Sequence, residues 1–355
     1  MIDTDEHLHA FLESVAGATW LALDTEADSL HAYPEKVCLL QVSLEGADLL
    51  IDPLARLDLQ PLWPALHRHE ILMHGSDYDL RLLRKNYQFV PARIFDTMLA
   101  ARLLGLPEFG LGNLVQKFLG VTLEKGSQKA DWARRPLTPK MESYARNDTH
   151  YLKPLSDLLR AELLAKGRLP WLEESCARLI ADCSIPPVVD QDTVWRIRGS
   201  HQLSRPALAV LRELWRWREL EATRHNKPPY FILSHETMVA LAERAHDPQA
   251  VEAIMPRHHS PARRQNIEQA LRRGLQTPEE DHPRPLRVVA MRLTEADRRR
   301  VDELKKIRDQ RATELAIDPT LIASKSMLFS LARDWSTHQS ELMNWQRDLL
   351  QSGNS

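Results

Sequence analysis

The chain has 355 residues, a length that predicts two or three domains. Its formal net charge is −2, and its 43% of hydrophobic and 27% of charged residues are typical of a globular protein. It has no apolar run of the roughly 18 residues that a membrane span requires, and its acidic amino end (MIDTDE) lacks the pattern of a signal peptide, so we expect a cytoplasmic protein. Cys38, Cys176 and Cys183 do not follow Cys-x-x-Cys spacing, which favours buried free thiols over zinc ligands or disulfides.

The amino-terminal part predicts strands first and then strands that alternate with helices. After a helix at 4–15, strands at 20–26, 36–44 and 48–51 are separated by short turns, which makes them antiparallel neighbours. Helices at about 59–67, 77–86, 96–104 and 111–119 then alternate with short strands at 71–73 and 93–95. This order predicts an α/β domain with a mixed sheet.

The first strand ends in two carboxylates, Asp24 and Glu26. Residues two apart on a strand project from the same side, so these two acids would lie together. Like charges held that close are costly unless a cation lies between them, and Mg²⁺ or Mn²⁺ suits oxygen ligands. A strand that simply runs into a polar loop is the alternative at this point.

Two later segments carry further acids. His74-Gly-Ser-Asp-Tyr-Asp lies where a strand passes into a helix, and acids are favoured in a first helical turn whatever the function, so spacing alone does not choose between Asp77 and Asp79. A helix that begins after Thr138 carries Tyr144 and Asp148 four residues apart and therefore on one face.

Residues 123–139 have little periodicity and carry four basic residues around one tryptophan. A loop of this length inside a compact domain is more often functional than idle, and basic side chains with an aromatic ring suit a phosphate backbone and a stacked base. Simple surface exposure explains the segment equally well. The residues concerned are Lys125, Lys129, Trp132, Arg134 and Arg135.

The ordered set of acids resembles the three motifs of the Asp-Glu-Asp-Asp 3′–5′ exonucleases that have tyrosine in the third motif. The segments DTEADSL (24–30), KVCLLQVS (36–43), FDTMLAARLLG (95–105) and KGSQKADWARRPL (125–137) resemble the bacterial ribonuclease D family more specifically, over roughly residues 5–170. The resemblance implies an α/β ribonuclease H-like exonuclease domain. It also selects Asp79, five residues after His74, as the second-motif acid.

The resemblance implies a two-metal 3′–5′ exoribonuclease that releases nucleoside 5′-monophosphates, acting in 3′ processing of tRNA precursors. Asp24, Glu26, Asp79 and Asp148 would hold two divalent cations, Mg²⁺ or Mn²⁺, and Tyr144 would orient or help deprotonate the attacking water. Such cations activate a water and stabilise charge on the leaving oxygen. Contacts to the nucleic acid are assigned to His74, Lys125, Lys129, Trp132, Arg134 and Arg135.

The carboxy-terminal part is helical and contains an internal repeat with a constant offset of 90 residues. Arg218 and Pro229, for example, recur as Arg308 and Pro319. Each unit predicts a helix, a proline-containing turn and another helix. The first unit resembles the HRDC domain shared by ribonuclease D and RecQ-type helicases, and the second its diverged partner. We therefore predict an exonuclease domain at 1–170, a linker at 171–200, an HRDC domain at 201–280 and a second HRDC-like helical domain at 281–355.

Charge differs between the two parts of the chain: residues 1–190 carry 20 Lys and Arg against 27 Asp and Glu, and the remainder 27 against 22. An acidic part that holds cations joined to a basic part that holds RNA explains this difference, and ordinary variation in surface charge explains it too.

Two other functions stay open. A DNA-directed exonuclease would use the same motifs, because recognition of the 2′-hydroxyl leaves no short signature. A non-catalytic RNA-binding protein on the same fold is disfavoured by the presence of all four acids and the tyrosine. The sequence lacks Gly-x-x-x-x-Gly-Lys-Ser/Thr, so neither a helicase motor nor a nucleotide cofactor is expected.

Overall fold

The computed structural model describes residues 1–124, 126–286 and 294–351. Lys125, one of the predicted RNA contacts, lies outside these ranges. The chain divides into two compact units. The first contains residues 1–27 and 37–186 together with the described residues from 294 onwards, and the second contains residues 28–36 and 187–286.

The first unit is built around a five-stranded mixed sheet, which confirms the predicted sheet type. The strands lie in the order β3-β2-β1-β4-β5. β1 pairs antiparallel with β2, and β2 with β3, whereas β1, β4 and β5 run parallel. The strands are β1 (Leu21–Ala27), β2 (Val37–Leu44), β3 (Ala47–Ile51), β4 (Glu70–Met73) and β5 (Arg93–Asp96).

Helices cover this sheet and form most of the rest of the described chain. The helices of the first 186 residues are α1 (Asp5–Gly17), α2 (Leu62–His67), α3 (Asp77–Tyr87), α4 (Thr97–Leu103), α5 (Leu111–Leu119), α6 (Pro139–His150), α7 (Leu152–Ala165) and α8 (Leu169–Ser184). Those of the second unit are α9 (Arg205–His225), α10 (Pro229–Ile232), α11 (His235–Glu243), α12 (Pro248–Ile254) and α13 (Pro261–Leu275). The last group is α14 (Glu295–Leu315), α15 (Pro319–Ile322), α16 (Lys325–Arg333), α17 (Trp335–His338) and α18 (Asn344–Gln351).

The sheet brings the end of β1 to the edge where a site can form. Leu21, Ala22 and Leu23 are at most 1% exposed, and β1 pairs with β4 only through Leu21 and Ala22. The strand therefore continues past β4 with Asp24 and Glu26. The carboxyl ends of parallel strands are the usual place for ligand sites in α/β sheets.

The sequence repeat is visible in the helix boundaries. α9, α10 and α11 are each followed 90 residues later by α14, α15 and α16, with the same lengths. Asn226 and Ala316 both end the long helix in a left-handed conformation. Arg218 and Arg308, both buried, each pair with the acid that follows them in the chain. The two segments therefore share one local architecture.

The helices after residue 293 pack against the exonuclease part of the first unit. The buried Arg168 donates to the carbonyls of Leu103, at the end of α4, and of Leu315, at the end of α14, at 2.7 and 2.8 Å. The ring of Trp171 stacks on Trp345 with centroids 5.0 Å apart. These contacts join α14 and α18 to the domain that carries the sheet.

The described helices, in residues 1–124, 126–286 and 294–351, are too short or too polar to cross a membrane.

Candidate active site

Three carboxylates meet at the end of β1. Asp24 and Glu26 come from this strand and Asp148 from the last turns of α6. Each presents one oxygen, and the three oxygens lie within 4.8 Å of one another. An all-oxygen set of this kind is what Mg²⁺ or Mn²⁺ prefers, so the residues fit the divalent cations that the sequence predicted.

α6 is held in place by its cap and by its buried face. Thr138 accepts a hydrogen bond from the Met141 amide, and Pro139 occupies the first turn, where its missing N–H costs nothing. Ala145 is fully buried, and the Thr149 hydroxyl bonds with Ser43 of β2 at 2.7 Å. Asp148 lies three residues after Ala145 on the adjoining side of the helix, so these contacts also fix its position at the end of β1.

The cluster retains protons when no cation is present. Burial, together with the neighbouring acids Asp148 and Asp79, raises the pKa of Glu26 to about 9. Burial also raises the pKa of Asp24 well above its ordinary value, and Asp79, Asp148 and Glu26 add to this effect. The pKa of Asp148 rises to about 7 because the residue is buried, although Tyr144 lowers it by hydrogen bonding. A bound cation would have to displace these protons, so binding is coupled to pH.

Asp79 lies beside the three clustered acids rather than among them. It is buried in the first turn of α3 and accepts a hydrogen bond from the Thr25 hydroxyl. Burial raises its pKa to about 6. Asp77, the other acid of this segment, is exposed and pairs with Arg81 at 3.0 Å. The structure therefore brings Asp79, and not Asp77, to the site.

Tyr144 lies one helical turn before Asp148. Burial first, and then Asp148, Glu26 and Asp24, raise the pKa of its phenol well above the ordinary value. A hydrogen bond from Gln128 acts in the opposite direction. The phenol therefore keeps its proton at neutral pH and faces the acids as a donor.

A cleft of about 640 Å³ opens over the acids and is large enough for a nucleotide. It is lined by Asp24, Glu26, Asp79, Tyr144 and Asp148. Further polar side chains line its walls that sequence reasoning did not assign to the site: Thr25, Tyr78, Asn113, Glu124, Gln128 and Asn147. Asn147 had a detectable signal, since it falls three residues after Tyr144 on the same helix face.

His74 lines the same cleft and bonds with the Thr97 hydroxyl at 2.8 Å through Nδ1. Burial lowers the pKa of its imidazole. A neutral ring at pH 7 could contact a nucleic acid by hydrogen bonding and not as a cation.

The predicted base-stacking role of Trp132 is corrected by the structure. The side chain is only 1% exposed and packs near Tyr144, with ring centroids 6.1 Å apart. A base cannot stack on a ring that is covered by protein. The segment's aromatic residue is thus a core residue that supports Tyr144.

Arg135 also serves the fold instead of the predicted RNA contact. Its Nε and Nη2 form a fork on Asp52, with N–O distances of 2.6 and 2.7 Å. Nη1 donates to the carbonyls of Trp132 and Arg134, and Nη2 also donates to that of Cys38, all at 2.8 Å. A guanidinium has five N–H donors, and these contacts use all of them. None is left for a phosphate.

Lys129 and Arg134 are exposed, so their predicted contacts with nucleic acid remain predictions.

Comparison with known proteins agrees with this geometry. Residues 1–164 match the family model described as 3′-5′ exonuclease, and residues 207–256 match the HRDC domain. The chain is 35% identical to the ribonuclease D of Sphingobium indicum over 259 residues, which covers 72% of this chain but only 66% of that protein, just under two thirds. It is 27% identical to the ribonuclease D of Desulfotalea psychrophila over 360 residues, covering 99% of this chain and 96% of the other.

The structure is also similar to the crystal structure of Escherichia coli RNase D, which is described as an exoribonuclease involved in structured RNA processing. The two chains are 25% identical in sequence and superpose with a TM-score of 0.76. The match covers 99% of this chain and 98% of the E. coli chain.

Proposed function

We propose that the chain belongs to the ribonuclease D family and that it is a metal-dependent 3′–5′ exoribonuclease that releases nucleoside 5′-monophosphates. The observation that carries the proposal is the set of three half-buried carboxylates whose oxygens lie within 4.8 Å of one another in a cleft of nucleotide size. Acids at such distances are costly to ionise together unless cations offset their charge.

Two divalent cations would supply the chemistry that a phosphodiester requires, namely an activated water and stabilisation of charge on the leaving 3′ oxygen. Asp24, Glu26 and Asp148 would hold one of them, since their oxygens converge. Asp79, which lines the same cleft, would contribute to the second. The number and kind of the ions belong to the proposal.

Tyr144 would orient the attacking water. Its raised pKa argues against the base role, because a phenol that keeps its proton can donate a hydrogen bond but cannot accept the water's proton. Its hydroxyl lies beside Asp148, and the carboxylates can receive that proton in its place.

The proposed substrate is RNA with a 3′ extension, such as a tRNA precursor. The relatives named ribonuclease D support RNA over other polymers. Residues 281–355 would be a second HRDC-like domain, an assignment supported by the 90-residue repeat of helix boundaries. The three cysteines are free and buried, which supports a reducing compartment such as the cytoplasm.

The deciding assay compares a 3′-tailed tRNA with single-stranded DNA under Mg²⁺, Mn²⁺ and EDTA. We expect metal-dependent release of 5′-mononucleotides from the RNA, and none from the Asp24→Asn variant. Activity that survives EDTA or the substitution would overturn the mechanism. A faster reaction on DNA would favour the DNA-directed alternative.

A further inference from the structure

One face of α6 continues the active site toward the start of the helix. Lys140, Ser143, Tyr144, Asn147 and Asp148 are spaced three and four residues apart, so they form a single polar stripe. With a rise of about 1.5 Å per residue, Lys140 lies about 12 Å along the helix axis from Asp148. The site already described uses only the end of this stripe.

A second cavity, of about 240 Å³, lies along the unused part of the stripe. Glu124, Tyr144 and Asn147 line both this cavity and the catalytic cleft, so the two spaces adjoin. The remaining walls include Gly126, Lys140 and Ser143. The cavity is too small for a whole nucleotide, but a ribose with its phosphate fits a space of this size.

Lys140 is available to an anion in this cavity. Among the described residues its ammonium has no hydrogen bond or ion pair, and it is exposed. Gly126 faces it with φ +151°, and a Cβ added there would lie 3.0 Å from Nζ. Glycine thus leaves space around the ammonium that other residues would fill.

We propose that this cavity, the α6 subsite, binds a ribose–phosphate unit of the RNA strand on the 5′ side of the scissile bond. The assignment rests on the proposed 3′–5′ exonuclease function. Such an enzyme leaves a single nucleotide on the 3′ side of the bond it cuts, and the larger cleft has room for that nucleotide. Substrate that extends further along α6 therefore belongs to the 5′ side.

Different residues of the subsite would contact the phosphate and the sugar of the ribose–phosphate unit. Lys140 pairs with the phosphate as a point charge. Ser143 and Asn147 offer hydroxyl and amide groups to the sugar. Glu124, when ionised, only accepts hydrogen bonds and would repel a phosphate, so it needs a donor on the substrate. The ribose 2′-hydroxyl is such a donor, and deoxyribose lacks it.

The first test compares Lys140→Gln with Lys166→Gln, which removes the same charge from an exposed lysine at the end of α7. On an RNA octamer we expect Lys140→Gln to raise KM about 10-fold, as for loss of one charged contact, with kcat unchanged. The slope of log affinity against log salt should fall by about 0.7. Hydrolysis of a dinucleoside monophosphate without a 5′ phosphate should not change, because this dinucleotide lacks the phosphate that Lys140 would bind.

The outcomes distinguish failure of the subsite proposal from failure of the proposed exonuclease function on which it rests. If the wild type releases no mononucleotide from any RNA, the proposed function fails. If the wild type is active and Lys140→Gln behaves like Lys166→Gln on the octamer, the subsite fails alone. An equal loss on dinucleotide and octamer also overturns it, because the defect would then lie in the catalytic cleft.

The second test replaces single nucleotides of the octamer with 2′-deoxynucleotides near the 3′ end. We expect the deoxy substitution at one position on the 5′ side of the scissile bond to raise KM for the wild type, and we expect Glu124→Gln to reduce that difference in KM. If deoxy substitution at that position raises KM equally in the wild type and in Glu124→Gln, Glu124 does not belong to the subsite.

Discussion

The Thr25 hydroxyl donates a hydrogen bond to the carboxylate of Asp79, and both side chains are buried. Thr25 stands between Asp24 and Glu26 on β1, so it projects to the opposite side of the strand. One strand therefore supplies two acids from one side and holds a third acid from the other. This arrangement explains why Asp79 borders the cleft without joining the three clustered oxygens.

Thr25→Val should weaken the site without changing its shape. The hydroxyl lowers the pKa of Asp79, so its loss should raise that pKa further and shift the rise of activity with pH to higher pH. Loss of such a supporting contact typically costs about 10- to 100-fold in metal affinity or activity. Activity against pH and Mg²⁺ concentration checks this. Thr25→Ser, which keeps the hydroxyl, is the control, and an equal loss in both variants would contradict the explanation.

Metal-free protein should lose stability as pH rises. The pKa of Glu26 is raised from 4.5 to about 9 in the folded state, so its contribution is fully present below about pH 4.5 and is lost as pH rises through 9. Glu26→Gln should reduce this loss and be more stable than the wild type at pH 8 in EDTA. Thermal unfolding of both proteins in EDTA at several pH values measures this difference in stability.

Added Mg²⁺ should make the wild type more stable than Glu26→Gln. It should raise the Tm of the wild type, since a cation stabilises the folded state by binding to it, and should affect Glu26→Gln much less. A Tm that is insensitive to Mg²⁺ in both proteins would argue against a cation at these acids.

Tyr144→Phe should slow the chemical step and leave the fold and KM nearly unchanged. The ring still packs beside Trp132, but the hydroxyl that faces Asp148 is lost. Loss of a positioned proton-transfer or orienting group costs about 10²- to 10⁴-fold in rate. Single-turnover kinetics measures the rate of the chemical step directly, and a variant with a normal rate would remove Tyr144 from the mechanism.

Arg135 and Arg134 should behave differently although they are neighbours. Arg135→Lys breaks the fork on Asp52 and should destabilise the protein by about 3 kcal/mol, with faster proteolysis in residues 123–137. Arg134→Lys should be neutral for stability, and Arg134→Ala should reduce RNA affinity if this exposed residue meets the strand. Equal stability of the two lysine variants would contradict the assigned anchoring role.

Gly105→Ala should disrupt the packing of α14 on the first domain. Gly105 has φ +81°, and an added Cβ would lie 1.8 Å from the carbonyl oxygen of Ala316. Gly120→Ala is a matched control, with φ +72° and no atom within 4 Å. The control should cost only the left-handed strain of about 1 kcal/mol, and Gly105→Ala distinctly more, in denaturant unfolding.

Local patterns predicted the elements well because they depend on local chemistry. β1 begins and ends one residue later than expected, and α5 begins and ends at the expected residues. Helical spacing alone placed Tyr144 and Asp148 on one face. These features need no knowledge of distant residues.

The incorrect assignments involve partners far away in the sequence. Arg135 was expected to meet RNA because its partner Asp52 lies 83 residues earlier and shares no motif with it. Trp132 stands among charged residues, and nothing local indicates that its ring is covered. The repeat likewise gave two similar helical units but could not tell that α14 to α18 pack on the first domain, since that depends on surfaces from both.

Because the chain leaves the first unit and later returns to it, the amino-terminal and carboxy-terminal parts of that unit are separated in the sequence by the second unit. The backbone leaves after residue 186 and is part of the same unit again from residue 294. A single protease cut between residues 187 and 286 would produce two fragments joined by no covalent bond but still associated through Arg168, Trp171 and Trp345. Fragments 1–186 and 294–351, expressed as separate chains, should therefore complement each other and rebuild the acidic cluster's domain as a heterodimer.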